Sequence, residues 1–145
     1  MIPGTTPAAP DDDGGVDPLL QPLLTTGSSR AVAVAMLRAR LLLPVVAVRT
    51  AGDADMALPA LIDPTGRRAL PVFSSYDALR AWQPDARPVP MTGARVFMSA
   101  VGEGYDGVVL DVAGPVTHAV DGDDLSTLAK AAEALLANPD AHIAG

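Results

Sequence analysis

Few side chains in this sequence could perform nucleophilic or acid–base chemistry. There is no cysteine, which excludes thiolate catalysis, disulfide bonds and cysteine-based metal sites. The imidazoles are His118, on a predicted strand and facing either core or solvent, and His142, near the end of the sequence. A zinc site needs three or four ligands, and none at suitable spacing accompanies either histidine. A Ser-His-Asp triad is possible by composition, but no G-x-S-x-G motif supports one.

Two carboxylates, Asp106 and Asp111, flank a short apolar run in the way that paired acids flank a hydrolytic site. Side chains alternate between the two faces of a strand, so residues five positions apart point to opposite faces. The two acids therefore do not form a pair on one regular strand. We predict that Asp106 caps a turn beside Gly107.

Three short motifs suggest phosphate or calcium binding at first sight. "GEGYDG", Gly102–Gly107, matches G-x-G-x-x-G, but a helix is predicted before it and a strand after it, the reverse of a dinucleotide site. "DGDD", Asp121–Asp124, has Ser126 and Ala132 where an EF-hand loop needs Gly and Glu. "DDDGG", Asp11–Gly15, is typical of a solvated tail. We predict no cofactor and no metal.

Length and composition predict one small domain with an aliphatic core. The chain has 145 residues, of which 49% are hydrophobic but only 3% aromatic. The longest apolar stretch, Ala31–Val48, is interrupted by Arg38, Arg40 and Pro44, which argues against a membrane span. The acidic, proline-rich start does not resemble a signal peptide. We expect a cytoplasmic protein that does not bind a membrane.

The net charge of −7 is unevenly distributed along the chain. Residues 1–29 carry four Asp and no base, residues 30–95 carry nine Arg against five Asp, and residues 96–145 carry eight acids against Lys130. The simplest interpretation is that the basic middle packs against the acidic end. The alternative is that the basic middle binds RNA.

The elements that must position these residues begin after an acidic, proline-rich segment. We predict a flexible tail at residues 1–27, one domain at 28–137 and a C-terminal tail at 138–145. Within the first segment, one or two turns are expected to pack four leucines onto the domain: Leu19, Leu20, Leu23 and Leu24.

A first helix is predicted to follow Ser28 or Ser29, either of which can cap it. Its buried face is predicted from apolar residues at helical spacing: Val34, Leu37 and Leu41. Pro44 ends the helix, and "LPVVAVR" continues as a strand. "MALPALID" is predicted as a weak strand because of Pro59, and "DPTG" as a type I turn into the strand "RRALPVF".

The next segment is predicted as a cap followed by a short helix. Ser74 stands three residues before Asp77, as in a capping box. Phe73 would end the preceding strand, and Trp82 would anchor the helix in or beside the core. The alternative for Trp82 is stacking on a ligand. "QPDARPVPM" is predicted as an extended connection that its prolines stiffen.

A third helix, a hairpin and a fourth helix complete the predicted order. Thr92 can cap the third helix, whose apolar stripe is Ala94, Phe97 and Val101. "DGVVLDVAGPVTHAV" has the turn residues of a hairpin. Asp123 or Asp124 starts the last helix, whose apolar residues are Leu125, Leu128, Ala132 and Leu135. We predict a single α+β domain, with a mixed, mostly antiparallel sheet of about five strands and helices packed on it.

Four segments occur in this order along the chain: "LLLPVVAV", "TGRRALPVFSSYDALRAW", "ARPVPM" and "GYDGVVLDVAGPVTHAV". In these segments the chain resembles the SseB N-terminal domain family of actinobacterial proteins. The resemblance covers about Ser28 to Leu128. It implies a compact α/β domain of unsettled function, with no catalytic residues to carry over. The arginine-rich, lysine-poor composition fits an actinobacterial source.

The leading hypothesis is a non-enzymatic domain that binds a protein partner of unknown identity, and oligomeric state is left open. Rigid, proline-rich surface segments lose little entropy on docking. The predicted binding residues are Phe73, Trp82, Arg87, Pro88 and Pro90. An RNA- or ribosome-associated protein is the alternative, using Arg67, Arg68, Arg80, Arg87 and Arg95. A small-molecule enzyme would require His118 and a carboxylate to converge on a pocket.

Overall fold

The structure, a computed structural model, describes residues 14–50, 53–114 and 116–137. The helices are α1 (Ser29–Met36), α2 (Tyr76–Trp82), α3 (Gly93–Gly102) and α4 (Gly122–Ala137). The strands are β1 (Arg40–Thr50), β2 (Asp53–Ala57), β3 (Leu61–Ile62), β4 (Arg68–Val72), β5 (Arg87–Thr92), β6 (Gly107–Leu110) and β7 (His118–Asp121). None of the helices in these ranges is long and apolar enough to cross a membrane.

The strands form two small sheets. One has the order β2-β1-β5 and the other β3-β4-β6-β7; β4 and β6 are parallel, and every other pair is antiparallel. Leu42 of β1 and Phe73 join the sheets by exchanging both backbone hydrogen bonds, at 2.8 and 2.9 Å. The predicted α+β class and mixed strand directions are confirmed.

The strands are more numerous than predicted. Pro59 divides "MALPALID", so that β2 ends at Ala57 and β3 begins at Leu61. The segment predicted as a stiff connection contains β5, which lies at the edge of its sheet, where proline is tolerated. These differences give seven strands in two sheets.

The core has two parts because β1 is covered on both faces. Leu41 and Leu43 face the larger cluster, whereas Leu42 faces a smaller one with Phe73, Leu79 and Ala86 beneath α2. Helices α1, α3 and α4 contribute to the larger cluster, whose bulkier members include Val32, Met36, Leu70, Val72, Val96, Phe97, Val108, Leu110 and Leu125.

The segment before α1 packs against the domain. Leu20 is fully buried in the larger cluster, as expected, whereas Leu19 is half exposed. An Asp17 carboxylate oxygen accepts a hydrogen bond from the backbone N–H of Arg40 at 2.9 Å. Residues 1–13 of the predicted N-terminal tail (1–27) and the whole predicted C-terminal tail (138–145), including His142, lie outside the described residues. The predicted division of the chain therefore stays a prediction.

The predicted start of α1 is confirmed, but its predicted end is wrong. The Ser28 hydroxyl accepts from the backbone N–H of Ala31, as expected of the cap. The helix stops at Met36, because a turn at residues 37–39 leads into β1, which already contains Leu41. The buried stripe is accordingly Val32, Ala33 and Met36, and Val34 is exposed.

The other helices keep most of their predicted buried residues. Ala94 and Phe97 of α3 are buried, but Val101, near the end of that helix, is exposed. In α4, Leu125, Leu128 and Ala132 are buried and Leu135 is partly buried. Thr92 precedes α3 but makes no side-chain capping bond.

The predicted turn between β3 and β4 is confirmed in detail. One Asp63 carboxylate oxygen accepts from the backbone N–H groups of Thr65 and Arg67 and from the Thr65 hydroxyl, at 2.7 to 3.0 Å. The Thr65 hydroxyl is the main reason that the pKa of Asp63 lies below its ordinary value. Gly66 has φ of 89°, a conformation that glycine adopts without a steric cost.

Candidate functional site

Three buried polar side chains, Ser74, Asp111 and His118, form what we call the polar cluster. Parallel strands end at the same edge of a sheet, so β4 and β6 bring Ser74 and Asp111 together there. One Asp111 oxygen accepts from the Ser74 backbone N–H at 2.8 Å and the other from the Ser74 hydroxyl at 2.6 Å. The carboxylate thus links the chain after β4 to the end of β6.

The backbone of Asp111 is also fully used. Its N–H donates to the carbonyl of Val72, and its own carbonyl accepts from the N–H of Gly114 and the hydroxyl of Thr117. Its φ is 57°, in the left-handed region that aspartate tolerates better than most residues. These bonds hold the turn between β6 and β7 in place.

Burial raises the pKa of the Asp111 carboxyl above its ordinary value. The two hydrogen bonds from Ser74 and the nearby His118 imidazole favour the ionised form, but their combined effect is smaller than the loss of hydration. The protonated form of Asp111 is therefore more favoured in this site than it is in water.

His118 faces the core, which decides between the two predicted orientations. Its Nε2 lies 3.0 Å from the carbonyl oxygen of Leu24, and because a carbonyl only accepts, Nε2 carries the proton. Its Nδ1 is buried without a hydrogen-bond partner. The ring thereby fastens the segment before α1 to β7.

The polar cluster does not have the arrangement of a catalytic triad. Ser74, Asp111 and His118 are only 2%, 7% and 6% exposed, so a substrate has no direct access to them. The Ser74 hydroxyl donates to a carboxylate, whereas a nucleophilic serine is hydrogen-bonded to its imidazole base. The geometry identifies the cluster as a structural clamp between strands.

The other residues considered for chemistry also have structural roles. Asp106 is exposed and accepts from the backbone N–H of Arg68 on β4 at 2.8 Å, rather than capping a turn beside Gly107 as predicted. "GEGYDG" follows α3 and precedes β6, the context expected of a helix end. Among the described residues, no group of three His, Asp or Glu side chains is arranged to hold a metal.

Phe73 and Trp82, two of the predicted binding residues, form a stacked pair. Their ring centroids are 5.6 Å apart and the ring planes are inclined by 31°. Phe73 is fully buried, as expected, and therefore supports Trp82 from below rather than contacting a partner itself. Trp82 is half-buried against the smaller cluster and keeps part of its ring at the surface.

The strand β5 places Pro88 and Pro90 on the same side as Trp82. They pair with Pro44 and Leu42, so they share the face of β1 that carries the smaller cluster. Both prolines are half-buried, and Arg87, the first residue of β5, is exposed. We call the surface formed by Trp82, Pro88 and Pro90 the tryptophan face.

The outer edge of β5 offers hydrogen-bond acceptors at both prolines. Leu42 directs its N–H and C=O toward Phe73, so Pro90, opposite it, directs its own carbonyl away from β1. Pro88 lies two residues earlier and has the same orientation. Because proline has no N–H, this edge does not offer the alternating donors and acceptors that another strand requires.

The arginines of the RNA alternative are distributed over four elements and loops. Arg67 forms an ion pair with Asp121 at 3.5 Å. The guanidinium groups of Arg68 and Arg80 lie over the rings of Tyr105 and Tyr76, at 4.7 and 5.4 Å. Two further arginines are in β5 and α3: Arg87 is exposed and Arg95 is half-buried.

Comparison with known protein families identifies a domain in this chain. The family model described as "SseB protein N-terminal domain" matches residues 20–127, about three quarters of the chain. No curated protein and no solved structure matches the sequence. The matched range includes Leu20, which the structure places in the core, and extends to the first turns of α4.

Proposed function

The chain belongs to the SseB protein N-terminal domain family, and we propose that it is a non-enzymatic, cytoplasmic interaction domain that binds a protein partner through the tryptophan face. The observation that carries this proposal is the partly exposed Trp82 ring, held on the fully buried Phe73. Tryptophan is among the residues that most often dominate the binding energy of protein interfaces.

Preorganisation supports this use of the surface. Trp82 is already packed against the smaller cluster, so a partner would order little of its side chain on binding. Pro88 and Pro90 have a fixed φ and belong to a paired strand. Binding loses less free energy when the surface is rigid beforehand.

The edge of β5 restricts how the partner would bind. A partner that added a strand would need N–H donors on this edge, and Pro88 and Pro90 provide none. We therefore expect it to contact the Trp82 ring with apolar side chains and the proline carbonyls with hydrogen-bond donors. Arg87, exposed at the start of β5, would contribute a positive charge at the rim.

The non-enzymatic part of the proposal rests on the polar cluster, whose three side chains are committed to internal contacts. The cytoplasmic part rests on the sequence, which has no cysteine.

Photocrosslinking in the native host would test this function. A photoreactive phenylalanine analogue at Arg87 should give a discrete protein adduct. The same analogue at Glu133, which is exposed on α4 away from the tryptophan face, should not give that adduct. With the analogue at Arg87, Trp82→Ala should remove the adduct, and Trp82→Phe, which keeps an aromatic ring over Phe73, should retain it.

Thermal unfolding of each variant shows whether the fold is intact, because Trp82→Ala also removes packing from the smaller cluster. No adduct from Arg87, or the same adducts from both positions, would refute the tryptophan face as the binding site. An adduct that nuclease treatment removes would instead favour the RNA alternative.

A further inference from the structure

A groove separates α1 from α4 on the helical side of the domain. Its floor is the edge strand β7 and its volume is about 430 Å³. The walls are Ala33 and Val34 of α1 and Thr127 and Leu128 of α4. The lining of the groove contains no residue of α2 or of the tryptophan face, so a partner bound to the tryptophan face would not need to contact that lining.

The surface next to the groove is apolar and centred on Val34, which is 36% exposed. Two further depressions, of about 180 and 490 Å³, share Val34 with the groove. They add Leu19 and Leu23, from the segment before α1. The groove therefore has an apolar ridge directly beside it, which we call the α1 ridge and which consists of Val34 with Leu19 and Leu23. A neighbouring molecule could bury the groove and the α1 ridge together.

The groove also carries one charge of each sign. Arg30 lies on the α1 wall and Asp124 on the α4 wall, and both are exposed. In the part of the chain that the structure describes, neither forms a salt bridge. Arg30 and Val34 are four residues apart and share one face of α1.

We propose that this surface is a homodimer interface, in which the α1 ridge of each copy enters the α1–α4 groove of the other. A two-fold interface brings the same patch together from both copies, so the patch must complement itself. The surface meets this condition, because it contains both the ridge and the groove, and both Arg30 and Asp124. Arg30 of each copy pairs with Asp124 of the other, while Val34 packs over the floor of β7.

The ends of the chain are less suitable occupants of the groove. Residue 14 lies on the α2 side of the fold, where the Gly14 carbonyl accepts from the backbone N–H of Tyr76. Residue 138 follows a helix of 16 residues, whose end is about 24 Å from its start. The groove uses only the first turns of that helix.

Sedimentation velocity of the full chain over a wide concentration range tests the proposal. The wild type should sediment as a reversible dimer, and Val34→Asp should sediment as a monomer. Ile62→Asp is the matched control, because Ile62 is more exposed than Val34 but lies on β3, away from the groove. Circular dichroism should show that both variants keep the wild-type helix content.

Charge reversal distinguishes this interface from other modes of association. Arg30→Asp and Asp124→Arg should each raise the dimer dissociation constant by roughly tenfold, and the double variant should return it close to the wild-type value. A wild type that stays monomeric would overturn the proposal, as would a double variant no tighter than the singles. Dimers that are lost when the chain is ended at Ala137 would show that residues 138–145 form the contact instead.

Discussion

Asp111 shows how one buried charge can organise a turn. Its carboxylate accepts hydrogen bonds from both donors of Ser74. Its backbone, which has a left-handed φ, forms hydrogen bonds with Val72, Gly114 and Thr117. A buried carboxylate is costly unless its oxygens are satisfied, and here each oxygen has a donor. The sequence predicted only that Asp111 does not pair with Asp106. It could not identify the partner of Asp111, because Ser74 is 37 positions away and carries no local signal.

Asp111 should also make folding stability depend on pH. Its pKa is raised in the folded chain, so between the ordinary value of 3.8 and the raised value the folded chain binds more protons than the unfolded chain. The free energy of unfolding from this group therefore falls as the pH rises through that interval. The main cause of the raised pKa is burial. The pH dependence from this position should be absent from Asp111→Asn, because an amide does not titrate.

Urea unfolding at a series of pH values, followed by the fluorescence of the single tryptophan, measures this effect. The stability of the wild type relative to Asp111→Asn should decrease as the pH rises. The exposed Asp63, whose lowered pKa acts in the opposite sense, is present in both proteins and cancels in the difference. A difference that is independent of pH, or that grows with pH, would contradict the proposed burial effect.

At the scale of elements, the sequence was sufficient to predict those caps and turns whose hydrogen bonds form between residues close together in the chain. The Ser28 cap and the Asp63 turn are held by contacts within a few residues, and both were predicted. The β6–β7 hairpin was predicted from its turn residues. Strand β5 was not predicted, because its prolines argue against a strand unless its place at an edge is known. The end of α1 and the exposure of Val34 likewise depend on what packs nearby.

The start of α2 is a case in which the prediction was wrong by one residue. Ser74 was expected to cap the helix, but the Ser75 hydroxyl accepts from the backbone N–H of Ala78 and Ser74 belongs to the polar cluster. Both serines precede the same helix, and only the tertiary contact with Asp111 distinguishes them.

The two serines should therefore differ in their effect on stability. Ser75→Ala should cost about 1 kcal/mol, as loss of a helix cap does. Ser74→Ala should cost about 2 to 3 kcal/mol, because it removes a buried donor from a charged acceptor. Urea unfolding at neutral pH measures both, with Ser126→Ala on the exposed side of α4 as a control near zero. A loss of about 1 kcal/mol from Ser74→Ala with none from Ser75→Ala would instead fit the original interpretation, in which Ser74 caps the helix.

At the scale of the whole molecule, the hairpin turns and the separated helices were enough to predict the α+β class. The arrangement of the two sheets was not predictable, because a single bridge between Leu42 and Phe73, residues far apart in the chain, joins them. The same bridge places the smaller cluster beneath α2 and thereby exposes part of Trp82. The proposed binding surface is thus a consequence of the sheet arrangement.

The segment before α1 provides the last test. The sequence assigned residues 1–27 to a tail but also predicted that leucines of this tail pack onto the domain, and residues 14–27 contact the domain at several points. Leu20 fills part of the larger cluster, the Asp17 carboxylate accepts from the Arg40 N–H, and His118 contacts the Leu24 carbonyl.

A chain beginning at Gly14 keeps these contacts and should unfold at the wild-type temperature. A chain beginning at Ser28 loses all of them. Loss of a buried leucine side chain alone costs about 2 to 5 kcal/mol, a large part of the roughly 5 to 15 kcal/mol that holds such a domain together. The shorter chain should therefore melt far below the wild type or fail to fold, and Leu20→Ala in the full chain should reproduce much of the loss. If the chain beginning at Ser28 melts with the wild type, these contacts add nothing to stability and the domain begins at residue 28.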